Sequence, residues 1–145
     1  MTAGRVLRTA EIIAVGSELL GSTRQDTNSL ILADRLAGLG IALRSKAVVG
    51  DNRGDLAQLF AQALTRSDLV ILTGGLGPTD DDVTRDVVAR VLARPLAEDV
   101  RITEQIRARF AARSLQMPEI NRRQAMVPAG ARISRSGERS PCRWH

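Results

Sequence analysis

Aromatic residues are nearly absent from this chain. Phe60, Phe110 and Trp144 are the whole set, and there is no tyrosine, so the core must be aliphatic. A single cysteine, Cys142, excludes an intrachain disulfide framework. No apolar run approaches the length of a membrane span. The first residues lack the apolar stretch of a secretory signal. These absences make a cytoplasmic location the expectation, with no membrane partner. The only histidine is His145, the last residue, and it carries no catalytic argument. Two nucleotide motifs are missing as well. There is no G-x-x-x-x-G-K-[ST], and the G-G-L-G-P-T loop lacks G-x-G-x-x-G spacing.

What remains is a chain of 145 residues, 43% hydrophobic, the size and composition of one globular domain. The net charge is +5, but it is unevenly placed. From Arg101 onward there are ten Arg and three Glu, a balance of +7, which leaves −2 for the first hundred residues. Nucleic-acid binding would want basic groups interleaved with aromatics or set on a recognised module. Neither is present, which argues against a nucleic-acid partner.

Residues 1–9 read as a short disordered start. Glu11–Val15 reads as a first strand ending at Gly16. Thr27 or Asn28 is the expected cap of a helix through Leu30, Leu32 and Leu36, closed by Gly38 or Gly40. Ile41–Val49 reads as a second strand, and Gly50-Asp51-Asn52 as a turn and cap. Leu56, Leu59, Phe60, Ala63 and Leu64 follow at helical spacing. Leu69–Thr73 has the length and β-branched content of a buried parallel strand. Val83, Val87, Val88, Val91 and Leu92 then return to helical period. The β-α-β-α-β-α order predicts a parallel sheet with helices on both faces, and Leu69–Thr73 beside Glu11–Val15. After Arg94-Pro95 the spacing predicts a helix over 102–115 and a polar helical stretch over 121–125. Val127–Gly130 reads as a turn.

Ligands in such sheets bind beyond the carboxyl ends of the strands. The Gly16 and Gly74 loops both leave strand ends, so one crevice is expected between them. Gly74, Gly75 and Gly77-Pro78 can form a loop whose N–H groups meet an anion; equally, they can form a tight turn needing positive φ. Asp80, Asp81 and Asp82 fall where the third helix should begin. One Asp satisfies a cap, and three exceed what capping needs. They would repel a bare phosphate, so the ligand is expected to bring a cation or to offer hydroxyl and amine donors. Mg²⁺ fits, since it takes one or two carboxylates plus phosphate oxygens. Thr84 can bond ligand or merely pack. Glu18, directly after a strand, is either solvated or functional. Asn28 is a cap by default, and Asn121 a surface residue.

Together these pieces resemble one family. Ala10–Gly21 (A-E-I-I-A-V-G-S-E-L-L-G), Asp26–Ser29 (D-T-N-S), Val48–Asn52 (V-V-G-D-N) and Thr73–Thr84 (T-G-G-L-G-P-T-D-D-D-V-T) look like the N-terminal, MoaB/MogA-type molybdopterin-binding-like domain of the competence/damage-inducible CinA family. Asn121–Ala131 extends the likeness, which covers residues 10–133. It implies a three-layer α/β/α fold with a mainly parallel sheet, and a homo-oligomer. It also implies that a nucleotide or pterin phosphate is held by Gly16, Ser17, Asn28, Thr73, Gly74 and Gly75. Gly77, Pro78, Thr79, Asp82, Thr84 and Asn121 complete that expected set.

Two activities follow from the resemblance. In a hydrolytic reading, Asp81 and Asp82 hold a divalent metal, Mg²⁺, on the diphosphate of ADP-ribose, and Glu18 orients or deprotonates water. In a binding reading, the loop takes the phosphate of molybdopterin and an Asp takes the pterin. Residues 134–145 depart from the family pattern, in which a P-V-G-T-A-P-G-like segment follows and a nicotinamide-nucleotide amidase domain comes later. Gly137–Pro141 can be back-translated so that one dropped base yields Gly-Ser-Ala-Pro. A frameshift with premature termination is the expectation there, and an inactive remnant is the third reading.

Overall fold

The computed structural model describes residues 6–134. Its centre is β1 (Thr9–Val15), flanked in parallel by β2 (Ala42–Val49) and β3 (Leu69–Thr73) in the order β2-β1-β3. The expected neighbour relation of the first and third strands is therefore observed. β1 is apolar at nearly every position because both of its faces are covered. Ala10 and Ile12 pack with Leu36 of α1 (Asn28–Gly38) on one face. Ile13 and Val15 pack on the other face with Leu56, Phe60 and Ala63 of α2 (Arg53–Arg66) and with Val87 of α3 (Thr84–Val91). The result is a three-layer α/β/α arrangement. β2 exposes Ala42, Arg44, Lys46 and Val48 in alternation, as suits a strand at the sheet's edge. β3 is only partly buried along its length.

Among the described residues, one charged side chain is buried in the core. Glu11, 1% exposed, receives both Nε (2.7 Å) and Nη2 (2.7 Å) of Arg66, plus the hydroxyls of Ser45 (2.7 Å) and Ser67 (2.8 Å). These bonds tie the last turn of α2 and the start of β3 to the central strand. They outweigh burial and hold the Glu11 carboxyl down at about 2, the Arg66 hydrogen bonds contributing most. Asp68 adds a second tie, accepting from the amides of Arg8 (3.0 Å) and Thr9 (3.1 Å). Both ties lie at the end of the sheet opposite the strand carboxyl ends.

Several expectations are corrected. Thr9 opens β1 and so does not belong to a disordered start; residues 1–5 lie outside the described residues, as does the tail expectation from residue 135 on. Thr27 is the N-cap residue of α1, one of the two expected, but its side chain makes no capping bond; Asn28 is the first helical residue, and Asp26 instead accepts from Ser29 N (3.1 Å) and the Ser29 hydroxyl. Leu30 and Leu64 face outward, 60% and 42% exposed. Asn52 does cap α2, accepting from Asp55 N at 3.0 Å. The fourth helix, α4, runs Val100–Ala111, and Glu119–Ala125 is a 3-10 helix. Val127 is not in a turn. It belongs to β5 (Met126–Pro128), which pairs antiparallel with β4 (Leu96–Glu98) in a separate two-stranded sheet. Thr103 and Arg122 both bind the Glu98 carboxylate and anchor α4 and the 3-10 helix to this ribbon.

Candidate functional site

The loops leaving β1 and β3 bound one cleft at the carboxyl end of the sheet. Val15, Glu18 and Leu19 line it from the first loop, Arg24 to Asn28 from the next, and Thr73 and Gly74 from the third, around a volume of about 180 Å³. The first loop is pinned by Gly16 N donating to Val49 O (2.9 Å). It is also stapled by a reciprocal pair, Ser17 N to Asp51 Oδ2 (3.2 Å) and Asp51 N to Ser17 Oγ (3.0 Å). Ser17 thus has a structural partner, while Glu18 stands exposed at the cleft.

The glycine loop owes its path to two positive φ values, +82° at Gly74 and +62° at Gly75. A Cβ at Gly74 would collide with the Val15 carbonyl, and one at Gly75 with the Thr84 hydroxyl. Buried Thr84 then fixes the loop: its hydroxyl donates to Gly74 O (2.7 Å) and its amide to Gly75 O (3.1 Å). Arg85, partly buried, donates to Leu76 O and to Gly77 O (3.2 Å). Four consecutive carbonyls are thereby taken by two consecutive residues. Among the described residues, the amides of Gly74, Gly75 and Leu76 have no protein acceptor.

The three Asp residues separate. α3 begins at Thr84, so none of them is in its first turn; Asp86 is the acid there. Asp82 turns back into the loop. It accepts from Gly77 N (2.7 Å), Thr79 N (2.9 Å) and Thr79 Oγ1 (2.8 Å). Burial pushes its carboxyl up, but the Thr79 hydroxyl and the two amides outweigh this and hold the pKa below its ordinary value. Asp80 is 98% exposed and pairs with Arg123 at 2.7 Å. Asp81 is exposed.

The structure therefore brings Glu18, Asn28, Thr73 and Gly74 to one cleft. It places Asp82 and Gly77 elsewhere, on a small cavity of about 40 Å³ shared with Arg85, Asp86 and Arg123. Pro78 is half-buried and Thr79 exposed within the loop. Asn121 lies in the 3-10 helix, its amide nitrogen on Gln124 at 3.1 Å. Glu18, Asp81 and Asp82 do not form one constellation. Among the described residues, no group of three or more His, Cys, Asp or Glu could hold a metal ion. Both oxygens of Asp82 already accept N–H or O–H donors of the loop. Sequence reasoning passed over Arg24, the one cation lining the cleft among the described residues, and Arg85. Neither has a spacing signal, and only the fold brings them to the loops.

The family described as a probable molybdopterin binding domain matches residues 11–140. A CinA-like protein of Solibacter usitatus is 50% identical over 124 residues, which are 86% of this chain and 30% of that relative. The chain is a MoaB/MogA-like molybdopterin-binding domain of the CinA family. This CinA-type domain superposes on the crystal structure of the protein CinA of unknown function from Thermoplasma acidophilum with a TM-score of 0.78 at 29% identity, covering 87% of this chain and 74% of that one. A molybdopterin biosynthesis protein from Mycobacterium abscessus gives a TM-score of 0.55 at 25% identity, covering 74% of this chain and 66% of that one. No helix of the CinA-type domain, among the described residues, is long and apolar enough to cross a membrane.

Proposed function

We propose that this domain binds a small molecule carrying an anionic group, a pterin phosphate of the molybdopterin type, in the cleft between the β1 and β3 loops. The observation that carries the reading is the glycine loop. Each of its carbonyls already accepts a bond from Thr84 or Arg85, while the amides of Gly74, Gly75 and Leu76 have no acceptor among the described residues, a balance that suits a phosphate. Arg24 supplies the positive charge. Glu18, Asp26 and Asn28 offer acceptors for the ring amine and amide N–H groups of a pterin. A volume of about 180 Å³ is below the roughly 300–1,000 Å³ of sites that enclose a drug-sized ligand, so the cleft grips one end of the molecule.

The hydrolytic reading, Mg²⁺-dependent cleavage of ADP-ribose, draws on the exposed carboxylates Glu18 and Asp81. It has less support, because Asp82 is committed to the loop. A thermal-shift series separates the two. A molybdopterin precursor is expected to raise the melting temperature with or without Mg²⁺, and a ligand at 100 times its Kd adds about 2.7 kcal/mol. ADP-ribose is expected to remain intact. Mg²⁺-dependent release of AMP from ADP-ribose, with no response to the pterin, would overturn the binding reading.

A further inference from the structure

Arg85 has a geometry that its neighbours do not share. It lines the small cavity behind the glycine loop and does not line the ligand cleft. Its guanidinium spans two successive carbonyls, Leu76 O and Gly77 O. A planar fork with donors on both terminal nitrogens can do this; a lysine ammonium, a point donor on a flexible stem, cannot hold both in one orientation. Asp82 acts on the opposite polarity of the same loop, accepting from Gly77 N, which shares a peptide with Leu76 O, and from Thr79 N. Burial lowers the Arg85 pKa, and the nearby charges of Asp82 and Asp86 oppose that shift.

Resting on the anion-binding reading above, we propose that Arg85 is a positioning residue for the bound anion. It holds the Leu76 and Gly77 carbonyls on the α3 side and so fixes the end of the loop that presents the amides of Gly74 to Leu76. It acts through the loop and not through its charge. Leu76 O shares its peptide with Gly77 N, which Asp82 holds, so acid and guanidinium clamp that peptide from both sides; without Arg85 the clamp is one-sided, and the Gly74 to Leu76 amides next along the chain lose their fixed direction. Asp82 and Arg85 thus set the two polarities of one loop before any ligand arrives.

The test uses the full chain, ¹⁵N-labelled, as wild type, Arg85→Met and Arg85→Lys, with inorganic phosphate as the probe. The ligand-free measurement is the backbone order parameter of Gly74 to Gly77. Wild type is expected near the rigid value of about 0.85, and both variants below about 0.6, with β1 amides unchanged. In the phosphate titration, wild-type shifts are expected at Gly74 to Leu76, and both variants are expected to weaken binding at least tenfold. Lysine keeps the charge and loses the fork. If Arg85→Lys retains wild-type phosphate affinity, charge alone matters and the proposal is overturned. It is also overturned if both variants keep a rigid loop. Wild-type loop amides that phosphate leaves unmoved would instead overturn the anion-binding reading itself, a result distinct from either of these. Should Arg85→Met fail to fold, Arg85→Lys carries both measurements.

Discussion

Replacing Glu11 by glutamine removes a charge from the centre of the sheet while keeping its volume and one acceptor. In the native chain this carboxylate takes two hydrogen bonds from Arg66 and one each from Ser45 and Ser67, at 2.7–2.8 Å. Its pKa falls from an ordinary 4.5 to about 2. A depressed carboxylate pKa means that the folded state binds fewer protons than the unfolded state. The stabilisation is therefore complete above the unfolded value and is lost as pH falls through the folded one. The full shift corresponds to about 3 kcal/mol. The Arg66 side chain is 45% exposed, so solvent screens the pair and about 2–3 kcal/mol is the working figure. Urea denaturation at pH 7 should show Glu11→Gln less stable by that amount. By pH 3 most of the titration range has been crossed, and the gap should shrink to about 1 kcal/mol. Other carboxylates titrate in the same window, but they are common to both proteins and cancel in the difference. A gap that stays constant from pH 7 to pH 3 would falsify the ion-pair account and leave only a packing effect.

Gly74→Ala should destabilise the chain by about 1–3 kcal/mol or prevent folding, because the new methyl meets the Val15 carbonyl at a φ of +82°; a melting temperature within 1 °C of wild type would refute the steric argument. Thr84→Val keeps the shape but strips a donor from Gly74 O, and chemical denaturation should show a loss of about 1–2 kcal/mol. Asp82→Ala releases three hydrogen bonds of the loop, whereas Asp80→Ala loses one surface ion pair at a 98% exposed carboxylate. Calorimetry with a pterin phosphate should show a loss of about 1.5–3 kcal/mol for the first and less than about 0.5 kcal/mol for the second. Equal losses would mean that loop order is not what Asp82 provides.

Much of the sheet was legible because hydrophobic period and burial coincide there. Leu69–Thr73 was read to the residue, and Asn52 was read as a cap and acts as one. The meeting of the β1 and β3 loops followed from the rule for parallel sheets. The glycine loop's end was not legible. Three consecutive Asp residues before an apolar-periodic run look like a helix start, yet Asp82 reaches back three and five residues to Thr79 and Gly77. A side chain that caps a loop behind it leaves no periodic trace. The β4–β5 ribbon was hidden for a different reason: three-residue strands next to proline carry no alternation worth counting, and their partners lie far apart in sequence. Arg24 and Arg85 were missed because a single arginine in a polar or helical segment is a solvated residue until the fold gives it neighbours.

The position of β1 in the chain has a kinetic consequence. The central strand is synthesised before both of its partners; its pairing with β3 joins Glu11 to Val70. Until synthesis passes Thr73, A-E-I-I-A-V has one unpaired edge and incomplete cover on both faces, in a nascent chain that aggregation can reach before folding does. Within that run Glu11 is the sole charge. During synthesis it is a gatekeeper that makes intermolecular strand pairing costly. Once Arg66 and Ser67 arrive, the same carboxylate becomes the clamp that closes the sheet.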